Sequence, residues 1–172
     1  MSLLKNISVD NLSPARLWSA LDLSTRTEAV QAMYDGDQET RDQADRAVAT
    51  ALRFRLAGVR KLAPDRRVDY FLRRVNPDNG LASTLLTALH LGRRQPLLGT
   101  FLDALEVPNE QGLIDSDYQI GELATDQLET AVATLRAQHD DGEVDVYLAS
   151  LLALDRDVWG GLAPVIEQAP TT

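Results

Sequence analysis

The chain contains no cysteine and only two histidines. Without cysteine it can form no disulfide, no thiolate metal site and no thiol nucleophile, a composition that suits a reducing compartment. It has no run of 18 apolar residues, so the sequence predicts no transmembrane helix. The first ten residues lack the apolar core of a signal peptide. We therefore expect a cytoplasmic protein without membrane contact.

Aromatic residues make up only 5% of the chain, while Leu and Ala dominate its apolar residues. That bias favours helices over strands. Caps formed by Ser, Thr or Asp, or a Pro at the first helical position, open successive segments, and Gly, Asn or Pro closes them. The short connections indicate antiparallel neighbours. The sequence predicts an all-α fold in which residues 1–172 form one domain of eight or nine helices, with helical hairpins packed as an irregular bundle or a short stack.

The predicted helices follow this punctuation along the chain. Their ranges are 14–21, 24–35, 37–62, 64–75, 81–91, 95–105, 125–138, 143–154 and 157–168. The helix over 37–62 is the longest. Residues 109–124 form the one long irregular segment, with a turn near Tyr118. The sequence leaves the role of that segment open.

Charge is distributed unevenly along the chain. Ten of the seventeen Lys and Arg residues lie between Arg53 and Arg94, where only three acids occur, so this basic window carries a net charge of +7. Residues 95–172 carry two basic and fifteen acidic side chains. Such segregation indicates a charged contact surface, either for an anionic partner or for the acidic half of the same chain.

The helix predicted over 64–75 concentrates arginine on one face. Its apolar stripe contains Val68, Phe71, Leu72 and Val75. Tyr70 lies at the centre of the opposite arc, within one turn of four arginines: Arg66, Arg67, Arg73 and Arg74. A phenol ringed by guanidinium groups can stack on a base or clamp a phosphate. Alternatively, the arginine stems cover the ring while their charged ends remain solvated or paired with acids.

Arg55 is a further candidate, because it lies at the edge of the apolar stripe of the helix predicted over 37–62. An isolated charge there is costly, so the sequence predicts a partner. We expect an ion pair with an acid from the C-terminal half. The alternative is the carboxylate or phosphate of a ligand.

The two histidines suggest an alternative metal site. The order His90, then His139 and Asp140, then Asp155 or Asp157 is similar to the ligand order of the HD metal-dependent phosphohydrolases, which are also all-helical. That resemblance implies a divalent metal held by His90, His139, Asp140 and Asp157. Carboxylate pairs three residues apart are the other metal candidates, because this spacing places both on one helix face. They are Glu39/Asp42, Asp42/Asp45 and Asp126/Glu129.

The chain contains no phosphate-cradling glycine loop, nucleophile elbow or His-Glu-x-x-His motif. We therefore expect a non-enzymatic helical interaction or scaffold module that binds a protein partner and needs no cofactor. One alternative is a metal-dependent phosphohydrolase. The other is binding of a nucleic acid or phosphate ligand through the helix over 64–75, although a net charge of −9 works against nucleic acid. Oligomeric state is left open.

Overall fold

The computed structural model describes residues 8–168 of the 172-residue chain. Helix accounts for 73% of these residues and none of them lies in a strand, which confirms the predicted all-α class. Over the same range, no helix is both long and apolar enough to cross a membrane. Residues 1–7, most of the N-terminal stretch in which a signal peptide would lie, are outside the described residues.

A short 3₁₀ turn, Val9–Asn11, precedes eleven α-helices in the described part of the chain. These are α1 (Pro14–Ala20), α2 (Leu23–Asp35), α3 (Gln38–Leu52), α4 (Leu56–Arg60), α5 (Pro64–Arg74), α6 (Asn79–Arg93), α7 (Gln95–Ala104), α8 (Thr125–Gln138), α9 (Asp141–Leu154), α10 (Arg156–Trp159) and α11 (Leu162–Gln168). The count exceeds the predicted eight or nine because two predicted helices are each split.

The helix predicted over 37–62 ends at Leu52 because the chain turns at Arg53. Arg53 is left-handed, with φ 54° and ψ 37°. Its N–H donates to the Thr50 carbonyl at 3.2 Å, and the Phe54 N–H donates to the Ala49 carbonyl at 2.9 Å. Together these bonds form the Schellman arrangement that closes many helices. Glycine usually occupies the left-handed position, so the residue types around Arg53 carried no stop signal.

Arg53→Gly is expected to raise the free energy of unfolding by about 0.5–1 kcal/mol. A left-handed conformation costs an L-residue about 1–2 kcal/mol, and glycine avoids most of this cost while losing about 0.5–1 kcal/mol in chain entropy. Urea unfolding followed by circular dichroism measures the change. Arg53→Ala is the control, because alanine keeps the backbone strain and should give no gain. A urea unfolding midpoint of Arg53→Gly at or below that of the original protein would contradict the left-handed conformation of Arg53.

The helix predicted over 157–168 is interrupted after Trp159. A Cβ atom on Gly160 would lie 2.8 Å from the Arg156 carbonyl oxygen, and one on Gly161 would lie 2.9 Å from Cδ1 of Leu128. Gly161 therefore allows the turn between α10 and α11 to pass close to α8, and Gly160 allows the chain to lie close to the backbone of α10.

The described helices fall into two compact units. The first, which we call the inserted unit, comprises residues 21–93 and contains α2 to α6. Helix α2 packs against α6, α3 and α5, and α4 packs on α3. Its core includes Val30, Met33, Phe71, Leu85 and Leu89, all fully buried.

The second unit, which we call the terminal unit, comprises residues 8–20 and 94–168 of the described chain. Helix α9 packs against α1, α8, α10 and α11, and α7 packs against α8. Phe101 lies at the centre of an aromatic cluster, 5.6 Å from the Tyr147 ring in an edge-to-face arrangement and 5.7 Å from the Trp159 ring. These contacts tie α7 to α9 and α10.

The two units differ strongly in charge. The inserted unit carries twelve basic and ten acidic side chains, a net charge of +2. The remainder of the chain carries five basic and sixteen acidic side chains, a net charge of −11. Nine of the ten basic residues of the basic window lie in the inserted unit, which also contains ten acids.

Candidate binding face on helix α5

Helix α5 has well-defined ends and one buried side. It begins at Pro64, which needs no hydrogen bond for its nitrogen at the first helical position. It ends at Arg74, with Val75 as an extended C-cap before Pro77. Phe71 is fully buried and anchors the apolar side, as the helical periodicity predicted.

The opposite side presents the group that we call the basic face, made up of Arg66, Tyr70, Arg73 and Arg74. Arg66, Arg73 and Arg74 are exposed and Tyr70 is half-buried. At 100° per residue the four lie within about 100° of arc, and Arg66 and Arg74 lie about 12 Å apart along the axis. The face is therefore a compact positive strip with an aromatic ring in its middle.

The charges of the basic face are only lightly engaged within the molecule. Arg73 forms an ion pair with Asp69 on the preceding turn, 2.7 Å between Nε and Oδ1, with its own side chain 73% exposed. Such a surface pair contributes little to stability, so Arg73 can exchange partners readily. Neither Arg66 nor Arg74 forms an ion pair with any residue that the structure describes.

Arg67 has a different role from the one predicted for it. Its guanidinium contacts both carboxylate oxygens of Asp45 on α3, at 3.3 and 3.4 Å. It also lies over the Tyr34 ring of α2, 5.1 Å from the ring centroid. The Arg67 side chain is only 21% exposed and that of Asp45 only 4%. Arg67 therefore joins α5 to α2 and α3 and is not part of the exposed basic face.

We call Tyr34, Asp45 and Arg67 the buried triad. The Tyr34 hydroxyl is buried beside Asp45, and burial, reinforced by the Asp45 charge, raises the pKa of Tyr34 above its ordinary value. The hydroxyl thus stays protonated throughout the physiological range. The triad is a packed polar contact between three helices, and sequence reasoning did not predict it.

Five of the ten basic side chains of the basic window form ion pairs with acids in the described residues. Asp42, one turn before Asp45 on α3, accepts a bond from Arg60 at 2.7 Å, which lowers the pKa of the Asp42 carboxyl. Arg93 pairs with Asp35. With the pairs of Arg67 and Arg73, the four described acid partners within the inserted unit come from residues 35–69. Arg94, at the end of the window, pairs with Glu143 of the C-terminal half at 3.8 Å.

The prediction that Arg55 lies at the edge of an apolar helical stripe is wrong. Because the chain leaves the helix at Arg53, Arg55 lies in the turn before α4 rather than on an apolar stripe, and its side chain is exposed. Its charge can be solvated, so it needs no buried acid. The neighbouring Phe54 is 53% exposed, since the same turn carries it out of the helix.

The residues predicted as alternative metal ligands have other structural roles. His90 is buried in α6. His139 is the C-cap of α8, and its Nε2 lies 3.0 Å from Oγ1 of Thr100. Asp140 caps α9 by accepting bonds from the N–H groups of Gly142 and Glu143, at 2.9 and 3.2 Å.

Three other predicted metal ligands are exposed or paired with an arginine. Asp157 is exposed in the first turn of α10, and Asp42 and Asp45 are each engaged by an arginine. Within residues 8–168, no three His, Asp or Glu side chains form a group that could hold a metal ion. The expected metal geometry of the phosphohydrolase alternative therefore has no counterpart in this part of the chain.

A second buried ion pair in the terminal unit also went unpredicted. Asp145 on α9 is buried and accepts from Arg136 at 2.7 Å, and Arg136 also bonds the exposed Asp141 at 3.0 Å. One signal was available, because Asp145 interrupts the apolar run from Val144 to Leu148. A single acid inside such a run indicates a buried partner.

Comparison with known proteins adds nothing to this geometry. No family model, curated protein or solved structure matches the chain. Functional inference therefore rests on the residues of the two units.

Proposed function

We propose that the protein is a non-enzymatic interaction module that binds an acidic polypeptide segment through the basic face of α5. The observation that carries the proposal is the state of Arg66 and Arg74. Both are exposed on a helix anchored by the buried Phe71, and neither is paired with an acid among residues 8–168. Guanidinium groups held on a rigid helix lose less freedom on binding than groups on a loop.

The dimensions of the basic face suit a short extended peptide. Its length of about 12 Å corresponds to about four residues of extended chain at about 3.3 Å each. A carboxylate can accept two bonds from one guanidinium fork, which fixes its orientation as well as its charge. Tyr70, half-buried between the arginines, offers an apolar contact for the peptide backbone or for a neighbouring side chain.

A polypeptide is favoured over a nucleic acid by the charge of the rest of the molecule. The sixteen acids outside the inserted unit repel a long polyanion, whose charges are much more closely spaced than those of an acidic peptide. The basic face also contains only one aromatic ring, and sequence-tolerant binding of single strands relies on several stacked rings.

We expect the original protein to bind a fluorescently labelled poly-glutamate peptide of about 20 residues at low salt, and R66E/R74E to weaken that binding more than about tenfold. Both substitutions place acids on the proposed contact and leave the Arg73 to Asp69 pair untouched. Fluorescence anisotropy gives the dissociation constant, and circular dichroism should show unchanged helicity and melting.

The matched control is R41E/R46E, which reverses two exposed arginines of α3 in the same unit. Its total charge change equals that of R66E/R74E, but the two residues lie outside the basic face. We therefore expect R41E/R46E to weaken binding less than about threefold. Equal losses in the two variants would show that net charge alone matters and would reject the face. Tighter binding of a single-stranded DNA of equal charge would favour the nucleic-acid alternative.

A further inference from the structure

The terminal unit presents a surface of opposite character, which we call the acidic segment, residues 110–122. It lies in the connection between α7 and α8 and contains no helix. Its four acids, Glu110, Asp115, Asp117 and Glu122, are all exposed. No Lys or Arg occurs between residues 95 and 135, and none of the four carboxylates forms an ion pair with a residue in the described ranges.

The acidic segment is anchored at its start rather than loose. The Asn109 side chain donates to Asp103 of α7 at 2.8 Å and accepts from the Gly112 N–H at 3.0 Å. Further along, the Tyr118 N–H donates to the Asp115 carbonyl at 3.0 Å and closes a second turn. Tyr118 is 41% exposed beside Asp117. The segment thus offers two carboxylates and a phenol from a defined turn.

We infer that the basic face of one copy binds the acidic segment of a second copy of this chain. The inference rests on the proposed function and names its partner. Asp115 and Asp117 lie two residues apart in this turn, so their Cα atoms are separated by at most about 7 Å, a span that fits within the roughly 12 Å between Arg66 and Arg74. Tyr118, which follows them, is placed to stack on a guanidinium plane.

The overall charge of −9 does not prevent this contact. At physiological ionic strength the Debye length is about 8 Å, so charges at the contact outweigh those further away. The two surfaces differ, so the interface is heterologous: copies can associate face to segment in a closed ring or in an open chain.

Sedimentation velocity tests the inference directly. At about 0.1 M NaCl, where the Debye length is still only about 10 Å, the original protein should have a weight-average mass approaching or exceeding twice the 18.9 kDa of one chain, and at about 0.5 M NaCl it should be a monomer. R66E/R74E and D115K/D117K should each be monomeric at both salt concentrations. The control D126K/E129K changes two exposed acids of α8 by the same amount and should keep the association.

A charge exchange provides the decisive step. A chain that carries R66E, R74E, D115K and D117K together should associate again, because the two surfaces have swapped signs and remain complementary. An original protein that is monomeric at low salt, or an exchanged chain that stays monomeric while the original associates, would overturn the inference. Binding of poly-glutamate to the original protein separates the two proposals. If the original protein binds poly-glutamate under either outcome, only the second-copy partner is wrong. If it does not, the proposed function fails as well.

Discussion

Gly112→Ala is expected to lower the free energy of unfolding by about 3 kcal/mol. Gln111 and Gly112 have φ of 53° and 82° and form the centre of a two-residue turn. Glu110 and Leu113 exchange both backbone hydrogen bonds across it, at 2.8 and 3.0 Å. Positive φ at both central positions is typical of a type I′ turn, in which the second residue is usually glycine.

Two independent costs add at this position. A Cβ atom on residue 112 would lie 2.6 Å from Cβ of Leu98 and 3.0 Å from the Gln95 carbonyl oxygen, both in the first turn of α7. Overpacking of this kind costs about 1–3 kcal/mol, and the left-handed conformation adds about 1–2 kcal/mol. Since the turn lies on the helix itself, the clash cannot be relieved by moving a flexible side chain.

Gly121→Ala is the matched control for Gly112→Ala. It lies in the same connection, and a Cβ atom there would meet nothing within 4 Å. Its effect should stay within about 0.5 kcal/mol. Urea unfolding of both variants provides the comparison, and a Gly112→Ala variant as stable as Gly121→Ala would show that the turn does not adopt this packing.

Asp45→Ala is expected to lower the free energy of unfolding by about 3–5 kcal/mol. Removing one partner of a buried ion pair leaves the other charge without compensation, and here the remaining Arg67 side chain is only 21% exposed. The same substitution leaves the buried Tyr34 hydroxyl without its neighbouring carboxylate. The contact between α2, α3 and α5 should loosen as a result.

Asp42→Ala separates the effect of burial from that of charge. Asp42 lies one turn away on α3 and pairs with Arg60, whose side chain is 47% exposed, so water can solvate the arginine that remains. We expect a loss much smaller than that of Asp45→Ala. In chemical denaturation, D45L/R67M should recover most of the stability, because an apolar pair of similar size avoids the cost of burying charge. Similar losses for Asp42→Ala and Asp45→Ala would contradict the structural role of the triad.

Helix α5 shows which burial states helical periodicity can predict and which it cannot. The wheel correctly placed Phe71 in the core and Arg66 and Arg74 outside it. It could not separate Arg67 from its neighbours, because Arg67 lies at the edge of the polar arc. Its orientation depends on Asp45, an acid 22 residues earlier in the chain.

The two split helices show a second limit. At Arg53 the stop consists of a left-handed backbone and two hydrogen bonds, without the glycine that would reveal it. Reading the helix through to residue 62 then placed Arg55 on an apolar stripe that does not exist. One missed turn thus produced both the wrong helix length and the wrong expectation of a buried partner.

The amino-acid sequence by itself determined the all-α class, most helix starts and the uneven distribution of charge, because these depend on residue type and on spacing within one turn or a few. Only the tertiary structure decided which arginines remain free on the surface. The pairs of Arg60 and Arg67 join α4 and α5 to acids on α3, and such pairs depend on how helices pack rather than on local spacing. On α5, the basic face is the part that stays exposed after Arg67 has paired with Asp45.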